Sequence, residues 1–559
     1  MIKVITDEAL KGLVLKYSLT NATGLLEIQD YMNNTGADFY DSLIEKNIAN
    51  DEKLGLIIAD HLKYPFVSLA KISIPEDTFR IVPERIARKH KVICFGKDQS
   101  GIKLAMSNPK NQVIIDSLIK KTNEKITPYY ATERDIVGTF YIYQKDLQKT
   151  FNDLIEESTT QPLKDIPIAK IVDLIISYAS QDKSSDIHIE PQDKDTIVRF
   201  RIDGMLHDIF KLPVKLHDRI LTRIKVLSRL RTDEHLSAQD GKMRFTTEEE
   251  IIDIRVSILP IVDGEKVVLR LLSTHARQFS LSDLGMSEAD LAKITNAMKK
   301  SYGMILSTGP TGSGKSTSIY SILKILNRRE KNITTIEDPV EYRIRGVNQI
   351  NVNVKTGLTF ASGLRSILRQ DPNVIFVGEI RDMETAGIAV NAALTGHLVV
   401  STLHTNDAAT ALPRLIDMKV EPFLVASTIN IIIAQRLIRK ICEMCKTSSE
   451  IPLSELEKNF SKVTVEKHFG HDLKTLIYFG KGCKICHDTG FSGRIGVFEV
   501  LEVTKGIKKM IVEKNDADLI VKQAILEGMS TMLDDGLNKV AKGLTTLEEV
   551  LRVTKVETS

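Results

Sequence analysis

Tryptophan is absent from these 559 residues, aromatic side chains make up only 6%, and neither sign of charge dominates, with 76 Lys and Arg against 73 Asp and Glu. A nucleic-acid translocase needs a basic groove with stacking aromatics, so this composition argues against nucleic acid as a partner. The net charge of +3 gives no electrostatic reason to expect an anionic membrane surface either. Long apolar runs are also missing. None approaches the roughly 20 residues of a membrane span, and the opening "MIKVITDEALKGL" lacks the apolar core of a signal peptide. A cytoplasmic chain with no direct membrane insertion is therefore expected. Cysteine is scarce, five in all, which excludes a disulfide scaffold. No repeat of solenoid period is found.

What is present is the composition of a folded globular chain, 42% apolar and 27% charged. The length exceeds what one hydrophobic core holds, so about three or four domains are expected. Residues 1–150 alternate helical stretches such as "DEKLGLIIADHL" with short strands such as "KVICFG" and "IKLAMS", the pattern of a small α/β domain. The polar "EESTTQPLKDIP", 156–167, reads as a linker. Across 160–275 a helix, "AKIVDLIISYAS", precedes strand-like "SDIHIE", "TIVRFRIDG", "IDIRVSIL" and "EKVVLRLL", which suggests an α+β domain. "STHARQFSLSDLG", 273–285, reads as a hinge. A long α/β core over 285–440, a cysteine element over 441–490 and a helical region over 491–559 complete the order.

The core opens with "MILSTGPTGSGKSTSIYSILKIL": a strand from Met304 to Leu306, a glycine-rich turn and an amphipathic helix. The turn fits G-x-x-x-x-G-K-[ST] through Gly309, Pro310, Thr311, Gly312, Ser313, Gly314, Lys315 and Ser316, with Thr317 next. Glycines let successive N–H groups and the helix N-terminus face a nucleotide's phosphates. Lys315 then meets the β- and γ-phosphate charge and the Ser316 hydroxyl binds Mg²⁺. The plain alternative, a turn that binds nothing, does not require both a strand before it and a helix after it.

Two further strands end in acids. "NITTIEDPVEY" brings Glu337, Asp338 and Glu341, which could reach Mg²⁺ and its waters beside Ser316. "NVIFVGEIRD" ends in Gly378-Glu379 where a metal-holding strand commonly carries Asp-Glu. If the earlier acids hold the cation, Glu379 is left to orient and polarise the water that attacks the γ-phosphate. Either stretch alone could be a solvated acidic turn; their joint appearance after a phosphate loop is what favours chemistry. A third strand, "HLVVSTLHTND", begins at His397 and places His404 at its end, as either a satisfied structural side chain or a γ-phosphate sensor.

Four cysteines form two knuckles, Cys442-x-x-Cys445 and Cys483-x-x-Cys486, whose thiolates suit a closed tetrahedral Zn²⁺ site. Redox pairs or free thiols are the other possibilities. The gap between the knuckles is longer than in a typical zinc ribbon, so an inserted lobe must fold back. Cys94 is most simply a buried apolar residue.

The ordered stretches "GPTGSGKSTSIY", "TIEDPVEY", "LRQDPNVIFVGEIRD" and "TGHLVVSTLHTND" resemble the Walker A, Asp box, Walker B and His box of the secretion ATPase superfamily, the GspE/PilB group. "SSDIHIEP", "VRFRIDG", "AQDGK" and "GEKVVLRLL" extend the similarity upstream, so that it covers roughly 160 to 559. The amino-terminal region is similar to the adaptor domain of pilus-assembly and type II secretion ATPases. This resemblance implies an α/β fold: a RecA-like P-loop NTPase core, a preceding α+β PAS-like domain, an N-terminal α/β adaptor and a tetracysteine zinc element. It matches Glu379 to the Walker B glutamate, a glutamate that follows Gly in this family, and Asp338 and Glu341 to the Asp-box acids. It matches Arg255 and Arg270 upstream and Arg365, Arg369 and Arg381 in the core to arginines that act on the nucleotide. Taken alone, Arg255 and Arg270 are ordinary solvated strand residues. The family further implies ATP, Mg²⁺ and Zn²⁺, a homo-hexameric ring, and attachment to the inner membrane through a platform protein and cytoplasmic pilus or secretion assembly proteins. The length resembles the pilus-assembly members more than the usually shorter secretion motors. The R-L-G motifs by which some relatives bind cyclic di-GMP are not found. A non-hydrolysing nucleotide switch is the remaining alternative, and intact Lys315, Glu379 and Glu341 count against it.

Overall fold

The computed structural model describes residues 4–35, 38–46, 48–72, 74–99, 101–140, 167–246, 251–272, 280–483 and 486–554. Nearly all of the expected linker, 156–166, and the start of the expected hinge, 273–279, lie outside the described residues.

Residues 4–72 are helical, with helices over Asp7–Lys16, Ala22–Thr35, Phe39–Glu45 and Asp51–Leu62. Thr6, Asp38 and Asn50 each accept an N–H of the following first turn, which sets where three of these helices begin. Next comes a three-stranded sheet of β1 (Val92–Asp98), β2 (Gly101–Met106) and β3 (Ile126–Tyr130). β1 runs antiparallel to β2, and β3 parallel to it. The parallel step requires a crossover, which the helix Gln112–Thr122 supplies.

A six-stranded sheet is built from β4 (Asp186–Pro191), β5 (Asp195–Ile202), β6 (Met205–Pro213), β7 (Gln239–Thr246), β8 (Ile251–Ile261) and β9 (Gly264–Leu272). The order is β6-β5-β4-β9-β8-β7 and every pairing is antiparallel. Alternate residues such as Ile187, Phe200, Ile254 and Leu269 bury one face beneath the helices Ile168–Gln181 and His217–Leu227, whose Ile171, Ile175, Ile220 and Ile224 share that core. The other face carries the polar half of the alternation.

The core sheet has seven strands in the order β12-β11-β13-β14-β10-β15-β18. Its members are β10 (Gly303–Thr308), β11 (Ile333–Glu337), β12 (Asn348–Asn351), β13 (Val374–Val377), β14 (Leu398–Leu403) and β15 (Ile429–Ile441). A two-stranded ribbon, β16 (Lys446–Pro452) and β17 (Lys474–Gly480), intervenes before β18 (Phe491–Glu502). All neighbours from β12 to β15 pair in parallel. Parallel strands bury both faces: along β13, Ile375 and Val377 face one apolar cluster while Val374 and Phe376 face the other.

The structure departs from the sequence pattern at two points. β10 is longer than Met304–Leu306, because Ser307 and Thr308 continue the pairing with β14 and β15. The segment after the cysteines, expected to be helical, also contributes β18, which lies antiparallel along β15 from Ile431–Glu502 to Ile441–Phe491. β15 is 13 residues long, and an edge of that length left open would expose a full row of backbone donors and acceptors.

The helical residues 4–72 pack against this core at the end of the helix Lys315–Leu326. Lys46 Nζ donates to the carbonyls of Lys324, Ile325 and Asn327 at 3.0, 2.9 and 2.7 Å, and Lys324 pairs with Glu45 at 2.9 Å. A cation is favourable there because the last carbonyls of a helix have no partner within it.

Candidate active site

β10 ends at Thr308, and the chain turns through Gly309, Gly312 and Gly314, with φ of +140°, +78° and +91°, before the helix starts at Lys315. These left-handed values are open to glycine at no cost. A Cβ on Gly309 would fall 2.5 Å from the Gln435 carbonyl, so that position has no room for a side chain. Lys315 Nζ donates to the loop's own carbonyls, Gly309 at 2.7 Å and Pro310 at 3.0 Å. Burial holds its ammonium below the ordinary lysine value, the Glu379 charge works against that, and Arg436 works with it. Ser316 is exposed.

β13 carries the opposite charge to the same edge of the sheet. The Gly378 N–H donates to the Ile336 carbonyl at 2.8 Å, Thr402 Oγ1 donates to the Gly378 carbonyl at 2.7 Å, and the Ile380 N–H donates to the Thr402 carbonyl at 3.0 Å. Glu379 thus projects from backbone tied to both neighbouring strands. A Cβ on Gly378 would lie 3.2 Å from the Ile336 carbonyl and 3.3 Å from Glu337 Cα, a physical reason for Gly where other P-loop proteins place Asp. The Glu379 side chain is 14% exposed; it takes Arg381 Nη2 on Oε1 at 2.7 Å and His404 Nε2 on Oε2 at 3.0 Å. His404 therefore bonds directly to Glu379, whereas His397 is spent locally, its Nδ1 2.9 Å from the Ala392 carbonyl.

The acids after β11 divide. Glu337 turns inward, 4% exposed, and accepts Tyr320 OH on one oxygen and Thr335 Oγ1 on the other at 2.6 Å, with Gln349 Nε2 at 3.3 Å. Burial raises its carboxyl and those donors oppose the rise. Its oxygens are committed to internal bonds, contrary to the expectation that it could face a cation. Asp338 is exposed and Glu341 half-buried. The Glu341 N–H donates to Tyr320 OH at 3.1 Å, so one phenol ties the acidic turn to the phosphate-loop helix.

Each arginine has its own local setting. Arg365 pairs with Glu384, and Arg369 donates to the Arg365 carbonyl at 3.1 Å and to Ser366 Oγ at 3.0 Å. Arg255 and Arg270 lie directly opposite each other on β8 and β9. Three contributors escape the sequence pattern. Tyr320 is a helix residue with no motif of its own. Gln435, 2% exposed on β15, donates from Nε2 to the Ser313 carbonyl at 2.8 Å and so braces the phosphate loop. Arg414 joins Ile380, Arg381, Leu403 and His404 around a cleft of about 350 Å³. No local signal marks any of the three.

The four cysteine sulfurs lie within 4.8 Å of one another, which fits a single tetrahedral ion. The Cys483 and Gly490 N–H groups donate to Cys486 Sγ at 3.2 and 3.3 Å. Burial pushes the Cys442 thiol up; at Cys486 burial pushes the same way, but these N–H donors together with hydrogen bonds from the Cys483 and Cys445 thiols lower it. Cys442 follows β15 and Cys486 precedes β18, so the cluster closes the end of that strand pair, and the long gap between the knuckles forms a lobe around Leu456, Phe460 and Val465.

A parallel sheet whose strand ends gather a glycine-rich phosphate loop, a lysine and an isolated glutamate defines a RecA-like P-loop nucleoside triphosphatase. The family described as "Type II/IV secretion system protein" matches residues 161–552, and the MshEN domain matches 62–146. The chain belongs to the Type II/IV secretion system protein family. It is 37% identical over 557 residues to the type IV pilus assembly ATPase PilB of Myxococcus xanthus, covering 96% of this chain and 97% of that one. It is 39% identical to PilB of Pseudomonas aeruginosa, covering 87% and 88%. Type II secretion system protein E of Pectobacterium carotovorum is 44% identical over 393 residues, 70% of this chain and 77% of that one. Among solved structures, the ATPase DotB of Yersinia pseudotuberculosis shares the fold with a TM-score of 0.51 at 19% identity, covering 69% of this chain and 93% of that one.

Proposed function

We propose that the chain hydrolyses ATP as a homo-hexamer to power assembly of a type IV pilus, working at the cytoplasmic face of the inner membrane through a platform protein and cytoplasmic assembly proteins. The observation that carries this reading is an alignment with a pilus assembly ATPase that runs nearly end to end on both chains. The loop from Gly309 to Thr317 cradles the phosphates and Lys315 exchanges its loop carbonyls for phosphate oxygens. Ser316, Asp338 and Glu341 would hold Mg²⁺, which would neutralise phosphate charge. Glu379 orients and polarises the attacking water, and His404, bonded to it, reports the γ-phosphate. Arg255, Arg270, Arg365, Arg369 and Arg381 meet phosphate oxygens with their paired donors. Cys442, Cys445, Cys483 and Cys486 would hold Zn²⁺ in a structural role.

A second reading, a type II secretion motor, draws on the higher identity to protein E over the shared region. Complementation of a deletion strain separates the two. Restored pili with the wild-type gene, and none with Lys315→Ala, is the expected outcome. Normal pili with lost exoprotein export in the deletion strain would move the function to secretion, and no Mg²⁺-dependent phosphate release from the purified chain would sink both.

A further inference from the structure

Arg255 and Arg270 belong to a longer row. The strand register lays Arg201 of β5, Asp186 of β4, Arg270 of β9, Arg255 of β8 and Lys242 of β7 straight across five neighbouring strands. Residues opposed in register point to the same face, and the residues that alternate with these, Ile187, Phe200, Leu269 and Ile254, point to the buried core. The row therefore lies on the sheet's polar face, and within the row four cations flank a single carboxylate. Like charges directly opposed weaken an antiparallel pair, and Arg270 stands directly opposite Arg255. A row of this kind offers the paired donors that an anion with several negative oxygens takes.

Asp186 is the unusual member. Its side chain is 7% exposed, against 61% for Arg270. Oδ1 accepts Arg270 Nε at 2.9 Å, while Oδ2 accepts Ser185 Oγ at 2.8 Å and lies 3.6 Å from Arg201 Nε. The carboxylate thus grips Arg270 by the ε nitrogen, at the stem side of the guanidinium. The η nitrogens lie beyond that grip, at the open end of an exposed side chain. A grip of this kind restricts the rotamers of a long side chain and so removes much of the entropy that ordering it on a ligand would cost.

We infer that Asp186 is a positioning residue, holding the ε nitrogen of Arg270 so that its η nitrogens are aimed at a polyphosphate anion received by this cationic row. The inference rests on the proposed role of Arg270 toward a nucleotide's phosphates and adds the residue that aims it.

A double-mutant cycle in the full-length chain tests it, with ATP turnover and binding of a non-hydrolysable ATP analogue as readouts. Asp186→Asn is expected to lower kcat about tenfold, with analogue affinity and thermal midpoint close to wild type, and to have no further effect in the Arg270→Ala background. Arg270→Lys keeps the charge but lacks the edge that Asp186 grips, so it is expected to fall by a similar factor; Asp186→Glu should restore part of the rate. Full turnover in Asp186→Asn, or an equal loss from it with and without Arg270, overturns the positioning role while leaving the arginine's role standing. Full turnover in Arg270→Ala overturns both. Should Asp186→Asn not fold, full turnover in Arg270→Lys is the result that overturns the inference.

Discussion

The seven-stranded and six-stranded sheets place their polar chemistry in different directions. In the parallel sheet, β13 and β14 are buried from end to end, so a reactive group can appear only where a strand stops. The phosphate loop follows β10, Glu337 closes β11, Glu379 follows β13 and His404 follows β14. Because the strands run the same way, these ends share one edge, and each group comes from its own strand-to-loop turn. In the antiparallel sheet one face carries the polar half of the alternation along every strand. Its charged residues form rows across strands, such as Arg201, Asp186, Arg270, Arg255 and Lys242. A parallel sheet thus gathers function at strand ends, and an antiparallel one distributes it through register.

This contrast predicts what single changes do. The largest effect belongs at a strand end. Glu379→Gln should cut ATP turnover by about 10²–10³-fold, with ATP affinity and thermal midpoint little changed. A parallel loss of Mg-ATP affinity would instead make Glu379 a metal holder. On the antiparallel sheet a core-side change should act on stability. Lys225 and Glu265, 1% and 5% exposed, pair at 2.8 Å beneath β9. Lys225→Met leaves that buried carboxylate with His235 Nδ1, 2.6 Å from Oε2, but without its lysine, at a cost of about 3 kcal/mol, read as faster amide exchange in β9 and in the helix His217–Leu227. Unchanged protection there would break the contrast.

The smallest effect lies where the core sheet itself becomes antiparallel. Glu549, 3% exposed, accepts Arg439 Nη2 at 2.7 Å and Arg552 Nη2 at 2.8 Å. Burial alone would raise its carboxyl, but hydrogen bonds from Arg552 and Arg439 outweigh burial and hold it at about 2, below the ordinary 4.5. A carboxyl lowered by folding stabilises fully above its ordinary value and loses that contribution as pH falls toward the folded one. Glu549→Gln should therefore cost about 2 kcal/mol at neutral pH, and the gap from wild type should narrow as pH drops from 5 toward 3. A gap that does not change with pH would assign the loss to packing.

The groups at strand ends were legible because their geometry is local. Gly309 to Ser316 turn within one loop, Glu379 directly follows its strand, and the two C-x-x-C knuckles each declare themselves within four residues. Asp338 and Glu341 were legible as acids, but the inward turn of Glu337 was not, since it depends on Tyr320 from another element. Gln435 lies 122 residues from Ser313, and Lys46 lies 278 from Lys324, so no spacing rule finds either contact. β18 was missed because strand character there matters only once the long β15 needs a partner.

Taken by itself, the order of residues determined the glycine-rich loop, the lone glutamate, the paired cysteines and the alternation that makes one sheet half-polar, since each depends on neighbours a few positions away. Tertiary structure alone decided that His404 and Arg381 converge on Glu379, that Gln435 braces the phosphate loop, and that Asp186 falls between Arg201 and Arg270. These depend on strand order and register, which are set by burying apolar faces over the whole sheet rather than by any short stretch of chain.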